Sequence, residues 1–289
     1  MKTILMLLLP LLACFGLYLW FQIAKYKRTE YFKQTGNSYF SVLFDKGRLG
    51  EYYTYRYLKG LKGTKKFLFN IYFPKDNGET TETDVLLLHD SGIYVFESKN
   101  YSGWIFGTET QPYWTQTLPT GRKRSHKSRF FNPILQNKVH LKWLHRYLED
   151  ERLPMYSYIV FSDRCTLKDI TLTSAEHHVI NRYNILSAVK ENSKRAGKLL
   201  TPEQIDVLYE KLYPLTQVDK AQKLAHVEAV RQKQQAAQQS AAPAPGEVPV
   251  CPYCNIPLVR RTTRKGPHAG ESFWGCSNYP KCKFTKKCS

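Results

Sequence analysis

Two groups of residues have the types and spacing for chemistry. The first is Cys251-Pro-Tyr-Cys254 with Cys276-x5-Cys282, two cysteine pairs separated by 21 residues. Zinc takes four tetrahedral thiolates, and paired knuckles supply two each. Cys288 stands outside the pattern as a spare thiol. The segment is too short to hold a fold on apolar burial alone, so a metal staple is the physical expectation. The second group is Asp84, Glu97 and Lys99. The turn signal Asp90-Ser91-Gly92 sets a hairpin in which facing residue numbers sum to 181: 88 faces 93, 86 faces 95 and 84 faces 97. Facing Cβ atoms lie about 4.5–5.5 Å apart. Asp84 and Glu97 therefore meet across the strands. Lys99 shares their face with Leu86, Leu88, Ile93 and Val95. Two carboxylates held this close on an apolar face repel each other. A divalent cation relieves that repulsion, and Mg²⁺ takes one or two carboxylates plus substrate phosphate and water. The competing reading is a Glu97–Lys99 salt bridge at the rim of a sheet.

Elements must position these residues. Phe44 to Gly60 has apolar residues at near-helical spacing. Strand patterns follow at Phe67–Phe73, Asp84–Leu88, Ile93–Glu97, Trp104–Gly107 and Tyr113–Thr117. Gly121 to Arg129, GRKRSHKSR, reads as a basic loop with five cations (Arg122, Lys123, Arg124, Lys127, Arg129) and no acid. It suits sequence-independent phosphate contacts, and equally a solvated charge run. Asn132-Pro133 opens a helix to about Glu149, on which Gln136 and His140 lie four apart and share a face. His140 is read as packing or as a phosphate contact. Tyr156–Phe161 suits a buried strand. Helices follow over Asn184–Lys198 and from the capping box Thr201-Pro202-Glu203-Gln204 to Tyr213. Cys165, His177 and His178 have no ligand partners in the pattern and are read as structural. Residues 216–249 turn polar and Gln/Ala-rich, then Pro-rich: a helical tail and a flexible linker.

The whole chain has 289 residues and is 42% hydrophobic, enough for a real core, which excludes wholesale disorder. Lys and Arg number 43 against 24 acids, a net +19 that points to a polyanion or an anionic membrane surface. Seven cysteines are too few for a disulfide scaffold, and five of them lie in the last 39 residues. In the cysteine module eight cations face one acid, Glu271, and aromatics are interleaved with them. Arg260, Arg261 and Lys281 with Trp274 and Tyr279 suit single-stranded nucleic acid, where bases stack and phosphates pair. Phe273 and Phe284 are the better candidates for its small core.

Residues 3–24 carry no charge and span about 33 Å as a helix, enough for a hydrocarbon core. Tyr18 and Trp20 suit an interfacial belt, and Pro10 would kink the helix without preventing the span. Lys25, Lys27 and Arg28 follow, against Lys2 alone before, which puts the rest of the chain in the cytoplasm. A cleaved signal peptide needs a shorter apolar core. A lipoprotein turns polar after its cysteine, whereas this chain stays largely apolar for ten residues beyond Cys14.

Two resemblances add to this. The run CPYCNIPLVRRT…ESFWGCSNYPKCKFT, over 251–285, looks like the C-terminal zinc finger of bacterial type I DNA topoisomerases. It implies DNA binding, single-stranded for preference, and brings no catalytic residue with it. GRLGE (47–51), ETDVLLLHDSGIYVFESKNYSGWIFG (82–107) and NPILQNK (132–138) together resemble the nuclease-related domain family, NERD, which belongs with the PD-(D/E)xK nucleases. That resemblance implies that Asp84 and Glu97 are metal ligands and that Lys99 sits in the E-x-K position beside the attacking water. It makes Glu51 the helix acid and Gln136 the motif glutamine, with Ser98 in the family's variable position.

The expected architecture is α/β: a restriction-endonuclease-like mixed sheet flanked by helices, after one transmembrane helix and before a small zinc ribbon. The segments are an anchor (1–24), a nuclease-related domain (40–215, core 45–150), a polar helix and linker (216–249) and a four-cysteine zinc finger of the topoisomerase type (250–288). The expected function is a DNA-processing protein in the bacterial inner membrane, a Mg²⁺-dependent nuclease with structural zinc. The alternative is a non-catalytic DNA-binding or tethering protein that retains the nuclease fold.

Overall fold

The computed structural model describes residues 2–121, 124–240, 250–254, 256–263 and 270–287. The chain divides into two compact units, Met1–His226 and Val227–Ser289.

The first unit starts with helix α1 (Lys2–Lys27), then α2 (Glu30–Thr35), α3 (Tyr39–Phe44) and α4 (Lys46–Leu58). Strands β1 (Lys65–Pro74), β2 (Thr80–His89), β3 (Gly92–Lys99), β4 (Gly103–Thr108), β5 (Tyr113–Gly121) and β6 (Arg124–Phe131) follow. Helix α5 (Pro133–Leu148) leads to β7 (Met155–Phe161), β8 (Cys165–Thr171) and β9 (His177–Asn181). Helices α6 (Ile185–Ala196), α7 (Pro202–Leu212) and α8 (Lys220–Ser240) complete the α-helices among the described residues; α8 crosses the boundary into the second unit.

A mixed five-stranded sheet has the order β1-β2-β3-β7-β9. Its first three strands are antiparallel, and β3, β7 and β9 run parallel. Each face carries a core. Val85, Leu87, Tyr94 and Phe96 pack with Tyr55 and Leu58 of α4 and Ile185 and Val189 of α6. Leu86, Leu88, Ile93 and Val95 pack with Leu144 and Leu148 of α5 and Ile205 and Leu212 of α7. Burial on both faces explains why β3 is a near-continuous apolar run rather than an alternating one. The β2–β3 register is the expected one: Leu86↔Val95, Leu88↔Ile93.

A four-stranded sheet, β6-β5-β4-β8, stands beside it. The segment expected as a basic loop is in part strand β6, paired with β5 from Tyr113↔Phe131 to Gly121↔Arg124. As an edge strand it keeps cations facing solvent, which protects an exposed edge from pairing with another chain. Arg122 and Lys123 lie outside the described residues.

The anchor expected over 1–24 lies in part outside the described residues, whose side chains begin at Pro10. Among the described residues no helix is long and apolar enough to cross a membrane. From Pro10 onward α1 takes in Gln22, Lys25 and Lys27, which dilute its apolar run. The linker expected up to 249 likewise falls from 241 onward outside the described residues; α8 covers 220–240.

The second unit contains a three-stranded sheet: β10 (Leu258–Thr262), β11 (Ser272–Cys276) and β12 (Thr285–Lys287), in that order.

Candidate functional site

The site in the first unit forms where β2 and β3 part. Their pairing runs as far as Val85↔Phe96, one step short of Asp84 and Glu97. Asp84 Oδ2 instead accepts a hydrogen bond from the Ser98 N–H at 2.8 Å. On the other side β3 stays paired with β7, Glu97↔Ile159 and Lys99↔Phe161, so Glu97 and Lys99 are held by a continuous parallel ladder.

Helix α5 brings the rest. Its start is fixed by Asn132, whose side chain caps the Ile134 N–H at 2.9 Å and donates to the Glu109 and Gln111 carbonyls. Asn137 pins the helix to the sheet through Val95 O at 3.1 Å and Ser157 Oγ at 2.8 Å. Gln136 and His140 then face β3. Lys99 Nζ is 2.6 Å from Glu97 Oε1 and donates to Gln136 Oε1 at 3.1 Å. The salt bridge weighed as the competing reading is thus present, and it is buried: Glu97 is 1% exposed. His140 Nε2 lies 3.0 Å from Glu97 Oε2, and Thr81 Oγ1 is 2.9 Å from its Nδ1.

The electrostatics follow from this packing. Burial, then the carboxylates of Glu97 and Glu51, push the Asp84 carboxyl well above its usual range. Burial pushes Glu97 the same way, but Lys99 and His140 outweigh it and hold its carboxyl below the ordinary value. Burial opposes the Lys99 charge, yet Glu97 and Asp84 keep the ammonium charged to higher pH than usual.

Glu51, from α4, stands within electrostatic reach of Asp84 and Glu82. Its Oε2 accepts from Tyr31 OH at 3.0 Å and Asn70 Nδ2 at 3.1 Å. Burial pushes this carboxyl up to about 7. Two residues here are not read from the sequence, Asn70 and Glu82. Asn70 sits in β1 with φ 50, and the pairing skips it between Phe69↔Val85 and Ile71↔Thr83. Its amide also reaches Glu82 Oε1 at 3.3 Å. An Asn interrupting an apolar strand is the available signal, because Asn tolerates the left-handed conformation it adopts here, opposite Asp84 and without a change of register.

In the second unit, Cys251, Cys254, Cys276 and Cys282 place their Sγ atoms within 4.8 Å of one another. The Cys251–Cys282 and Cys254–Cys276 separations are 3.6 and 3.2 Å. Tetrahedral thiolates at a zinc bond length stand about 3.8 Å apart, so the four fit a structural zinc. Against its burial, the Tyr253 and Cys254 N–H groups draw the Cys251 thiol down to about 7. Cys288 lies outside the described residues. Trp274 shares the inner face of β11 with Cys276 and packs on the cysteine cluster with Phe284, while Phe273 falls on the other face by strand alternation. Trp274, expected as a stacking face, is thus half-buried against the cysteine cluster, and Phe273 is half-buried on the other face. Tyr279 is 58% exposed, with the Arg261 guanidinium 5.4 Å from its ring centroid. Arg260 and Lys281 are exposed. In the first unit Lys127 and Arg129 lie on β6, Arg129 over the Tyr113 ring at 5.2 Å. Of the remaining residues, Cys165 is buried on β8 and donates to Ser162 O, and His178 of β9 stacks on Tyr158. His177 is buried beside it.

Comparison with known proteins agrees with this division. The nuclease-related domain model matches residues 46–162, and the topoisomerase DNA-binding C4 zinc finger model matches 248–289. An uncharacterised protein of Bacillus anthracis is 33% identical over 189 residues, 65% of this chain and 85% of that one. DNA topoisomerase 1 of Mycoplasma genitalium is 53% identical over 36 residues, 12% of this chain and 5% of the topoisomerase. That of Mycoplasmoides gallisepticum is 57% identical over 37 residues, 13% of this chain and 4% of the topoisomerase. No solved structure matches. The chain belongs to the nuclease-related domain family and carries a topoisomerase-type C4 zinc ribbon behind that domain.

Proposed function

We propose that the chain is a membrane-anchored, metal-dependent phosphodiester hydrolase acting on DNA, built on a restriction-endonuclease-like domain. The observation that carries this reading is the convergence of Asp84, Glu97, Lys99 and Gln136 where β2 and β3 diverge. Asp84 is half-buried, and its Oδ1 accepts no hydrogen bond among the described residues, so the oxygen is open to a hard cation. Asp84 and Glu97 would hold Mg²⁺, which when bound lowers the pKa of water and offsets charge on phosphoryl oxygens. Lys99 keeps its proton and sets a fixed positive charge against the charge that develops on the phosphate. Gln136 orients that ammonium. Glu51, with its carboxyl near 7, is able to hold or release a proton at neutral pH.

The apolar helix anchors the chain in the bacterial inner membrane with everything after it in the cytoplasm. Support comes from Leu11, Leu12, Phe15, Leu17 and Trp20, all exposed on α1, and from the Lys25, Lys27 and Arg28 that follow. The ribbon adds a DNA contact, with Tyr279 as the stacking face for a single strand.

One observation favours the non-catalytic alternative: both Glu97 oxygens are already engaged, by Lys99 and by His140. The deciding experiment incubates the full chain, in detergent, with single- and double-stranded DNA and Mg²⁺ or chelator, beside Glu97→Gln. Cleavage by the wild type alone, dependent on metal, is the expected result. Equal DNA binding with no cleavage by either protein, in Mg²⁺ or Mn²⁺, would leave the tethering function instead.

A further inference from the structure

The carboxyl ends of the parallel strands β3, β7 and β9 present Lys99-Asn100, Asp163-Arg164 and Asn181-Arg182 side by side. In open α/β sheets this is the edge at which ligands gather. Arg182 is the unusual member. It is 3% exposed, and its Nε and Nη2 are enclosed without a hydrogen-bond partner. Its guanidinium lies 5.6 Å from the Tyr53 ring centroid, which fixes the plane but supplies no acceptor. The carboxylate within electrostatic reach, Asp163, is spent elsewhere: it accepts from Tyr57 OH at 3.3 Å and from the Tyr183 N–H at 2.9 Å. The adjoining Arg164 is by contrast satisfied, at 3.2 Å from both Asn100 O and Asn100 Oδ1.

A guanidinium withdrawn from water with two of its nitrogens lacking acceptors loses hydration that Tyr53 and the field of Asp163 replace only in part. Burial accordingly pulls the Arg182 pKa down. The arrangement demands an anion. It also stands at the end of β3. A Cβ built on Gly50 would lie 2.9 Å from Ser98 Oγ, 3.2 Å from Asn100 Cβ and 3.7 Å from Arg182 Nη2. Ser98 stands between Glu97 and Lys99 in β3, but its side chain meets Thr54 of α4 at 3.3 Å while theirs face α5, so Arg182 sits on the α4 side of the strand. Glycine at position 50 thus lets α4 close over the end of β3 with the guanidinium against it. Asp163, Arg164 and Tyr183 around it are exposed, so the position lies just beneath the surface.

We propose that Arg182 is a phosphate-binding residue at the carboxyl end of the parallel strands, on the α4 side of β3. The guanidinium fork matches two phosphate oxygens at once, and Tyr53 stacking pre-orients it. That the phosphate belongs to a nucleic-acid backbone rests on the nuclease reading; phosphate binding by Arg182 does not, and it is measured without cleavage.

The test compares the full-length wild type, Arg182→Met and Arg182→Lys in detergent. Thermal melting is followed with inorganic phosphate, and affinity is measured for a 5′-hydroxyl and a 5′-phosphorylated single-stranded oligonucleotide. Phosphate raises the wild-type melting temperature. Arg182→Met, relieved of an uncompensated charge, melts no lower than wild type without ligand, gains nothing from phosphate and binds DNA about tenfold more weakly. Arg182→Lys falls between. Equal losses for the two oligonucleotides identify a backbone phosphodiester as the ligand. A loss confined to the phosphorylated one identifies a terminal monophosphate. A wild type unmoved by phosphate, or variants with the wild-type phosphate shift and DNA affinity, overturns the proposal. Should Arg182→Met fail to fold, Arg182→Lys decides the same comparison. Glu97→Gln keeps the Arg182-dependent phosphate shift, so failure here is separate from failure of the nuclease reading.

Discussion

His140 Nε2 stands 3.0 Å from Glu97 Oε2, and Thr81 holds the other ring nitrogen. Sequence alone makes this histidine packing or a phosphate contact; in the fold it orients and charge-balances a candidate ligand instead. Ligand-orienting partners are typically worth 10–100-fold in affinity or activity. We expect His140→Ala to lower metal-dependent cleavage by about tenfold and to move the acid limb of its pH profile upward, because Glu97 loses a group that holds its carboxyl down. His140→Gln, which keeps a donor, should retain more activity. An acid limb that stays in place would reduce His140 to packing.

Lys99→Ala leaves Glu97 buried with one partner fewer. Breaking a buried ion pair costs on the order of 3 kcal/mol, roughly 6–12 °C in melting temperature for a domain of this size. The depth of Glu97 makes the loss one of stability as well as of chemistry. The double variant Glu97→Gln/Lys99→Met should recover most of the loss in a thermal melt, and a stable Lys99→Ala protein would contradict the account.

Glu51 supplies a pH dependence. Its carboxyl rises from 4.5 to about 7 on folding, so the proton is bound more tightly in the folded state. The resulting stabilisation is complete below pH 4.5 and is lost as pH rises through about 7. Glu51→Gln cannot ionise. Relative to wild type it should gain melting temperature at about pH 8 and show little gain at about pH 5. Parallel pH–melting curves for the two proteins would be the contrary result.

The ribbon separates core from contact. Trp274→Ala should release zinc and melt the sheet β10-β11-β12, since the ring packs on the cysteine cluster. Tyr279→Ala should keep zinc, read by metal analysis, yet weaken single-stranded DNA binding by roughly 1–3 kcal/mol. Binding should also fall steeply with added salt. Loss of zinc in both variants would remove the distinction.

For the anchor, fractionation of cells should find the full chain in the membrane pellet, and deletion of residues 1–24 should shift it to the soluble fraction. A full chain that stays soluble refutes that assignment.

Much of the site was legible because it is local. The sum of 181 gives the β2–β3 register, and the four-residue step from Gln136 to His140 gives a helix face. What escaped depends on partners distant in sequence. Strands β8 and β9 are short and polar, and only their parallel neighbours β4 and β7 make them strands. Ser125 to Arg129 reads as a loop until β5 supplies its hydrogen bonds. The packing of Trp274 on the cysteine cluster shows only once the Cys276 face is known. Asn70 and Glu82 join the site through a left-handed residue inside β1 that no periodicity announces.

The parallel pairing of β3 with β7 also governs when the site can exist. Glu97 and its sheet neighbour Ile159 are about sixty residues apart, with β4, β5, β6 and α5 emerging between them. Such a closure is slow, since the loop entropy must be met before the ladder forms. During synthesis the strand bearing Glu97 and Lys99 leaves the ribosome well before the strand that braces it. The acid–lysine array is therefore incomplete on the nascent chain until α5 and β7 have followed, and a chain stalled before residue 155 carries these charges without their supporting ladder.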